Sequence, residues 1–197
     1  MRKIHVISPF LLSIVLFAAG LAAGVLGLRV LSLDEKAELM SYLQAFMSSL
    51  KNPGLEPSLI LRMSLGQNLK TAVLIWGFGL AVIGAPLTCL FLVIRGFAVG
   101  FGSAFMVREV ASGGAALFFS GMFPQSLFFI PTLIALSSLS ISFSIALVSE
   151  RPWNYGGLGR TVLQYTARFA VLSLGLVASS LVEAYISPVL LARLIGS

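Results

Sequence analysis

The chain has 197 residues, 58 % of them hydrophobic and only 10 % charged, with a mean hydropathy of +1.01. A soluble domain of this length has no use for so much apolar surface, whereas a chain embedded in a bilayer does. The formal charge of +6 does not indicate nucleic acid, because the basic residues stand at the edges of apolar runs and not on one face with aromatics between them.

The composition predicts an all-α fold: one integral membrane domain over 1–197, a polytopic helix bundle of about five spans. The first predicted span, about 8–28, follows the basic residues Arg2 and Lys3 and is closed by Arg29. It resembles a signal peptide but is longer than a usual apolar core, so it reads as an uncleaved helix with a cytoplasmic N-terminus. Gly20 and Gly24 give it a small-xxx-small face.

Residues 32–70 are the one sizeable polar region and are expected to form a helical extracytoplasmic loop. Ser32-Leu33-Asp34-Glu35 matches a capping box, and Leu39, Tyr42, Leu43, Phe46, Met47 and Leu50 recur at helical spacing behind it. Asn52-Pro53-Gly54 ends that helix, and a second starts near Pro57-Ser58. Such a hairpin either lies on the bilayer or caps the bundle, or it docks an extracytoplasmic partner.

A second span is expected over 71–94, kinked at Pro86 and ended by a cytoplasmic Arg95. Gly96–Val107 has only twelve residues, too few to cross a hydrocarbon core of about 30 Å without tilt or thinning. Either it is a short span followed by a re-entrant half helix over 110–123, or one span runs through with Arg108 and Glu109 buried as a pair. Gly96, Gly100 and Gly102 would admit a close neighbour. The next span, 125–148, has Pro124 at its start, where proline is tolerated, and Pro131 one to two turns in. Glu150, Arg151, Arg160 and Arg168, with Trp153 and Tyr155, mark a cytoplasmic loop. Two cytoplasmic points at Arg95 and this loop need an even number of crossings between them, which supports five spans.

The last span, about 165–191, holds Glu183, with Pro188 expected to break it near the exit. An ionisable residue at that depth is either functional or structurally paired, for example with Arg108.

Several chemistries are excluded. The sole histidine, His5, precedes the first span, so Gly100-Phe101-Gly102-Ser103 has no base for a serine nucleophile. Zinc proteolysis needs paired histidines and aspartyl proteolysis two aspartates, but Asp34 is alone. No phosphate-cradling glycine loop occurs. Cys89, the single cysteine, allows no internal disulfide or thiolate cluster and packs as a small apolar residue. No cofactor or metal is expected, and the chain is read as no enzyme.

Three stretches, IGAPLTCLFLVIRGFAVGF, GMFPQSLFFIP and SSLVEAYISP, resemble the glycine-rich junction, the proline–glutamine turn and the C-terminal signature of the stage II sporulation protein M family. The resemblance extends over nearly the whole chain. The wider family often carries Pro-His-Gly and then Glu at the turn, where this chain has Pro124, Gln125 and Ser126, with Phe129 in place of the acid. That departure weakens any carry-over of ion or substrate handling. The resemblance implies a multi-pass, non-catalytic scaffold in the sporulation septum and the engulfing mother-cell membrane. Its implied partners are the peptidoglycan hydrolases stage II sporulation proteins P and D, which thin septal wall during engulfment of the forespore. Glu183, Tyr185, Pro188, Pro124, Gln125, Pro131, Gly96, Gly100 and Arg108 are the candidate structural and interaction residues. The runner-up function is a transporter or channel component with a buried carboxylate.

Overall fold

The structure, a computed structural model, describes residues 8–51, 57–110, 114–149 and 158–190. Expectations resting on Arg2, Lys3, His5, Asn52-Pro53-Gly54, Glu150, Arg151, Trp153 and Tyr155 lie outside the described residues. Within them the chain is all-helical, with α1 (Pro9–Gly27), α2 (Leu33–Lys51), α3 (Pro57–Leu80), α4 (Gly84–Glu109), α5 (Gly114–Leu117), α6 (Phe123–Ser149) and α7 (Leu158–Leu181). A π-helical turn, Phe118–Met122, joins α5 to α6, and another, Val182–Ile186, extends α7. Among the described residues four elements are long and apolar enough to cross a membrane: α1, α4, the run Gly114–Ser149 and the run Gly159–Leu190. With α3, whose first half carries Arg62, Gln67, Asn68 and Lys70, they make a bundle of five long helices.

The stretch 71–94 is not one kinked span. It is the end of α3 and the start of α4, divided by a reversal at 81–83. Gly84 sets the reversal, since a Cβ there would lie 1.5 Å from the Phe78 carbonyl oxygen. Pro86 then falls in the first turn of α4, where its missing N–H removes no helical bond. Ser144 on α6 closes the break: its Oγ donates to the Ala81 carbonyl at 2.9 Å and accepts from the Ala85 N–H at 3.0 Å. One turn away on α6, Ser140 Oγ donates to the Ile75 carbonyl at 2.9 Å and lies 3.1 Å from Thr88 Oγ1. From α7, Tyr165 donates to the Trp76 carbonyl at 3.1 Å. Backbone freed by a broken helix is thus satisfied by neighbouring side chains, as an apolar surrounding requires.

Because α4 continues through Arg95, residues 96–107 are not a separate short span. The 26 residues of α4 span about 39 Å at 1.5 Å each, enough for a full crossing. Arg95 sits midway along this helix, not at a cytoplasmic end, so the parity argument built on it falls. Arg108 and Glu109 end α4. Arg108 is exposed, while Glu109 accepts from Lys36 Nζ at the start of α2, at 2.9 Å. The half helix expected over 110–123 is also revised: residues 114–122 run through the π turn directly into α6.

The packing of α1 on α4 is the closest in the bundle. α4 buries Gly84, Thr88, Leu92, Gly96, Gly100 and Ala104, one every fourth residue, and α1 buries Ser13, Phe17, Gly20 and Gly24 at spacings of three or four. A Cβ on Gly96 would lie 2.3 Å from the Phe17 carbonyl oxygen, and one on Gly100 2.1 Å from that of Leu21. Gly20 and Gly24 meet the Val93 and Phe97 carbonyl oxygens at 2.3 and 2.2 Å in the same sense. Gly102 is different, its nearest neighbour being Met122 Cε at an ordinary 3.6 Å. Residue numbers rise together on the two helices, so α1 and α4 run parallel and α2 leaves α1 at the end where α4 finishes.

The polar loop is shorter than 32–70. Residues 57–70 are the first half of α3 inside the bundle, because Ser64, Asn68 and Thr71 recur on one buried face. The last span likewise begins earlier than 165, at Leu158, and its Tyr165 and Phe169 are core residues.

Candidate functional site

A cavity of about 250 Å³ lies among α3, α4, α6 and α7, in the half of the bundle nearer α2. Its polar lining includes Ser64, Asn68, Arg95, Gln125, Ser179 and Glu183, and its apolar walls include Ala98, Val99, Met122 and Phe129.

Two prolines place its central groups. Pro124 and Pro188 each lack the N–H that would close an α-helical bond to the fourth preceding carbonyl, and each ring crowds that carbonyl. In both places the preceding turn widens into a π turn that ends two residues before the proline. At the second, the Ser187 N–H reaches the Val182 carbonyl, five residues back. Pro188 therefore distorts the helix and does not break it, since helix continues to residue 190. Such π turns recur at functional positions because the extra residue re-aims side chains. Here they present Gln125 from one helix and Glu183 from the other.

The Glu183 carboxylate accepts from Ser64 Oγ on α3. With its amide oriented nitrogen toward the acid, Gln125 donates to Glu183 Oε2 at 2.7 Å and Oε1 at 3.2 Å. The same pair of helices is tied again by Ser179 Oγ, which donates to the Gln125 carbonyl at 3.1 Å. Asn68 binds α3 to α7, donating to Ser180 Oγ at 2.8 Å and to the Leu176 carbonyl at 3.2 Å. Across the cavity, Arg95 donates to Thr71 Oγ1, and its guanidinium carbon stands 5.2 Å from the Phe91 ring centroid. The Thr71 hydroxyl in turn donates to the Gln67 carbonyl at 3.0 Å. Arg95 is half-buried at the middle of a spanning helix, a position that costs an arginine about 2.5–3.5 kcal/mol on insertion scales.

Of the residues singled out from sequence, the structure brings Glu183 and Gln125 together, with Pro124 and Pro188 shaping the turns that carry them. Arg108 is not a partner of Glu183. Tyr185 is 52 % exposed and Pro131 is exposed on α6, so neither enters the cavity. Gly96 and Gly100 belong to the α1–α4 contact. Arg95, Ser64 and Asn68 were missed. The signal for Arg95 was apolar sequence on both sides of it, LFLVI and GFAVG. For Ser64 and Asn68 it was their helical spacing with Thr71. Among the described residues no three His, Cys, Asp or Glu side chains gather as a metal would need.

Comparison with characterised proteins and with solved structures gives no match. Comparison with protein families gives one, a family described as stage II sporulation protein M, over residues 13–188. That interval reaches into every spanning element and contains both π turns, and the chain belongs to the stage II sporulation protein M family, whose members are sporulation-related membrane proteins.

Proposed function

We propose that the protein is a non-catalytic scaffold of the sporulation septum and the engulfing membrane. It holds peptidoglycan hydrolases, stage II sporulation proteins P and D, where septal wall is thinned. Its N-terminus faces the cytoplasm, which puts α2 on the wall side. The observation that carries this reading is the seating of α2. Its first turn is fixed by the Ser32–Glu35 capping box, with the Ser32 N–H donating to Glu35 Oε2 at 2.8 Å. Lys36 then ties it to the end of α4, while Leu33 and Tyr42, 85 % and 65 % exposed, are presented outward. A preformed helix with exposed apolar residues, anchored on a rigid bundle, is suited to docking a partner at low entropic cost.

The test is recovery of partners from membranes of sporulating cells. Wild-type protein is expected to bring down wall-degrading enzymes. Glu109→Lys, which repels Lys36 and unseats α2, should reduce that recovery while the bundle stays folded. Recovery of the protein without such companions during engulfment refutes the scaffold. So does wall cleavage by the purified protein alone.

The cavity between Arg95 and Glu183 favours a second reading, a component of a transporter or channel, because polar groups at membrane depth are what a permeation path uses. Flux in proteoliposomes that is lost with Glu183→Gln would select it over the first.

A further inference from the structure

We infer that the cavity is a binding site for a small zwitterion, with Arg95 taking the anionic group and Glu183 the ammonium. This does not rest on the scaffold reading. The two charges line one cavity but are not an ion pair. Among the described residues the charged groups within bonding distance are Lys36 and Glu109. In an apolar surrounding the least costly arrangement of two opposite charges is direct contact. The framework instead holds them on opposite anchors, Arg95 on Thr71 and Phe91, Glu183 on Ser64 and Gln125.

Each charge also keeps unused capacity toward the space between them. A guanidinium has five N–H donors, and among the described residues Thr71 is the acceptor it has. A carboxylate has about four acceptor sites, not all of which Ser64 and Gln125 occupy. A simple anion would satisfy Arg95 and be repelled by Glu183. A metal cation would meet the reverse problem. Only a ligand bearing both signs compensates both walls at once, and the guanidinium fork suits a planar carboxylate or a phosphate. The volume of about 250 Å³ and the walls of Ala98, Val99, Met122 and Phe129 admit a compact molecule with little hydration, not a peptide. Two sources supply that chemistry: a free α-amino acid, and the phosphoethanolamine headgroup of a membrane lipid.

The test uses the full chain, purified in maltoside detergent and stripped of lipid, with its melting temperature read against added probes. Glycine, phosphoethanolamine and phosphatidylethanolamine are the zwitterions. Acetate, ethylamine and phosphatidylglycerol are the single-charge controls. A ligand that binds only the folded state raises the melting temperature. A rise of several degrees with one or more zwitterions, and none with the controls, is expected. A response to glycine identifies a free amino acid, and a response confined to phosphatidylethanolamine identifies the headgroup. Glu183→Gln and Arg95→Gln should each weaken the responding probe roughly tenfold or more, the loss of one charge-assisted hydrogen bond. Equal shifts with the controls, no shift with any zwitterion, or undiminished binding by Glu183→Gln would overturn the assignment. The comparison among probes on the wild-type chain stands even where a variant fails to fold.

Discussion

Replacing Gly100 by alanine tests whether α1 and α4 are locked backbone to backbone. The added Cβ would lie 2.1 Å from the Leu21 carbonyl oxygen. An ordinary carbon–oxygen contact is about 3.4 Å, so the two helices must part by roughly 1.3 Å at that level. Leu21 cannot yield alone, because Gly20, Gly24 and Gly96 hold the same two backbones at 2.2 to 2.3 Å by the same measure. Moving one level opens the others, and a gap of about 1 Å forfeits up to half of each contact's dispersion energy. Overpacking of this kind costs about 3 kcal/mol, the upper end of the usual range, since backbone and not side chain must move. Alanine returns about 1 kcal/mol of helix propensity, leaving a net loss of about 2 kcal/mol. The control is Gly77→Ala on α3, where nothing lies within 4 Å of an added Cβ and only the propensity gain of about 1 kcal/mol remains. Unfolding in mixed micelles by titration with a denaturing detergent, followed by tryptophan emission, should give shifts of opposite sign for the two variants. The Gly96→Ala, Gly100→Ala pair should lose less than the sum of the singles, since one displacement relieves both. Stabilisation by Gly100→Ala, or strict additivity of the pair, refutes a locked interface.

Three further expectations concern two buried serines and the polar cap of α2. Ser144→Ala leaves the Ala85 N–H unpaired at the α3–α4 break, while the Ala81 carbonyl keeps the Gly84 N–H at 2.9 Å, and should cost about 1–3 kcal/mol in the same titration. The Ser137 hydroxyl is equally buried but has no hydrogen-bond partner among the described residues, so Ser137→Ala should stabilise the protein by about 1 kcal/mol, and a loss there would contradict the assignment. At the start of α2, the Ser32 N–H and then its hydroxyl hold the Glu35 carboxyl below its ordinary value of 4.5. A carboxyl depressed on folding contributes stability above the unfolded value and loses it as pH falls through the folded one. The protection of amides in the first turn of α2 against hydrogen exchange, taken relative to their intrinsic base-catalysed rate at each pH, should therefore fall as the solution is taken from pH 6 toward about pH 3, and Glu35→Gln should flatten that dependence.

Membrane residence, the all-helical bundle and the small-residue faces of α1 and α4 were legible because each depends on local composition and a four-residue spacing. Helix ends were harder to read. The run from Thr71 to Ile94 is uniformly apolar, and nothing local announces that Gly84 faces the Phe78 carbonyl at a distance only a hydrogen can occupy. Reading Arg95 as a terminus followed the usual habit of basic residues at interfaces. That habit fails where a polar cavity, built from helices far apart in sequence, receives the side chain. The pairing of Gln125 with Glu183 joins residues 58 positions apart and depends on two separate helix distortions. Single prolines hint at such distortions, but their direction is set only by the packed neighbours.

The two π turns have a consequence for how this bundle can vary. Each holds one residue more than an α-helix of the same pitch would accommodate, so the helix on either side is out of phase with its continuation by about 100°. Removing a single residue between Phe118 and Met122 would let that stretch rewind, swinging α5 around its axis while α6 stays fixed. Length changes of one residue are therefore a dial on which face each half-helix shows its neighbours, and the prolines at 124 and 188 hold that dial in place.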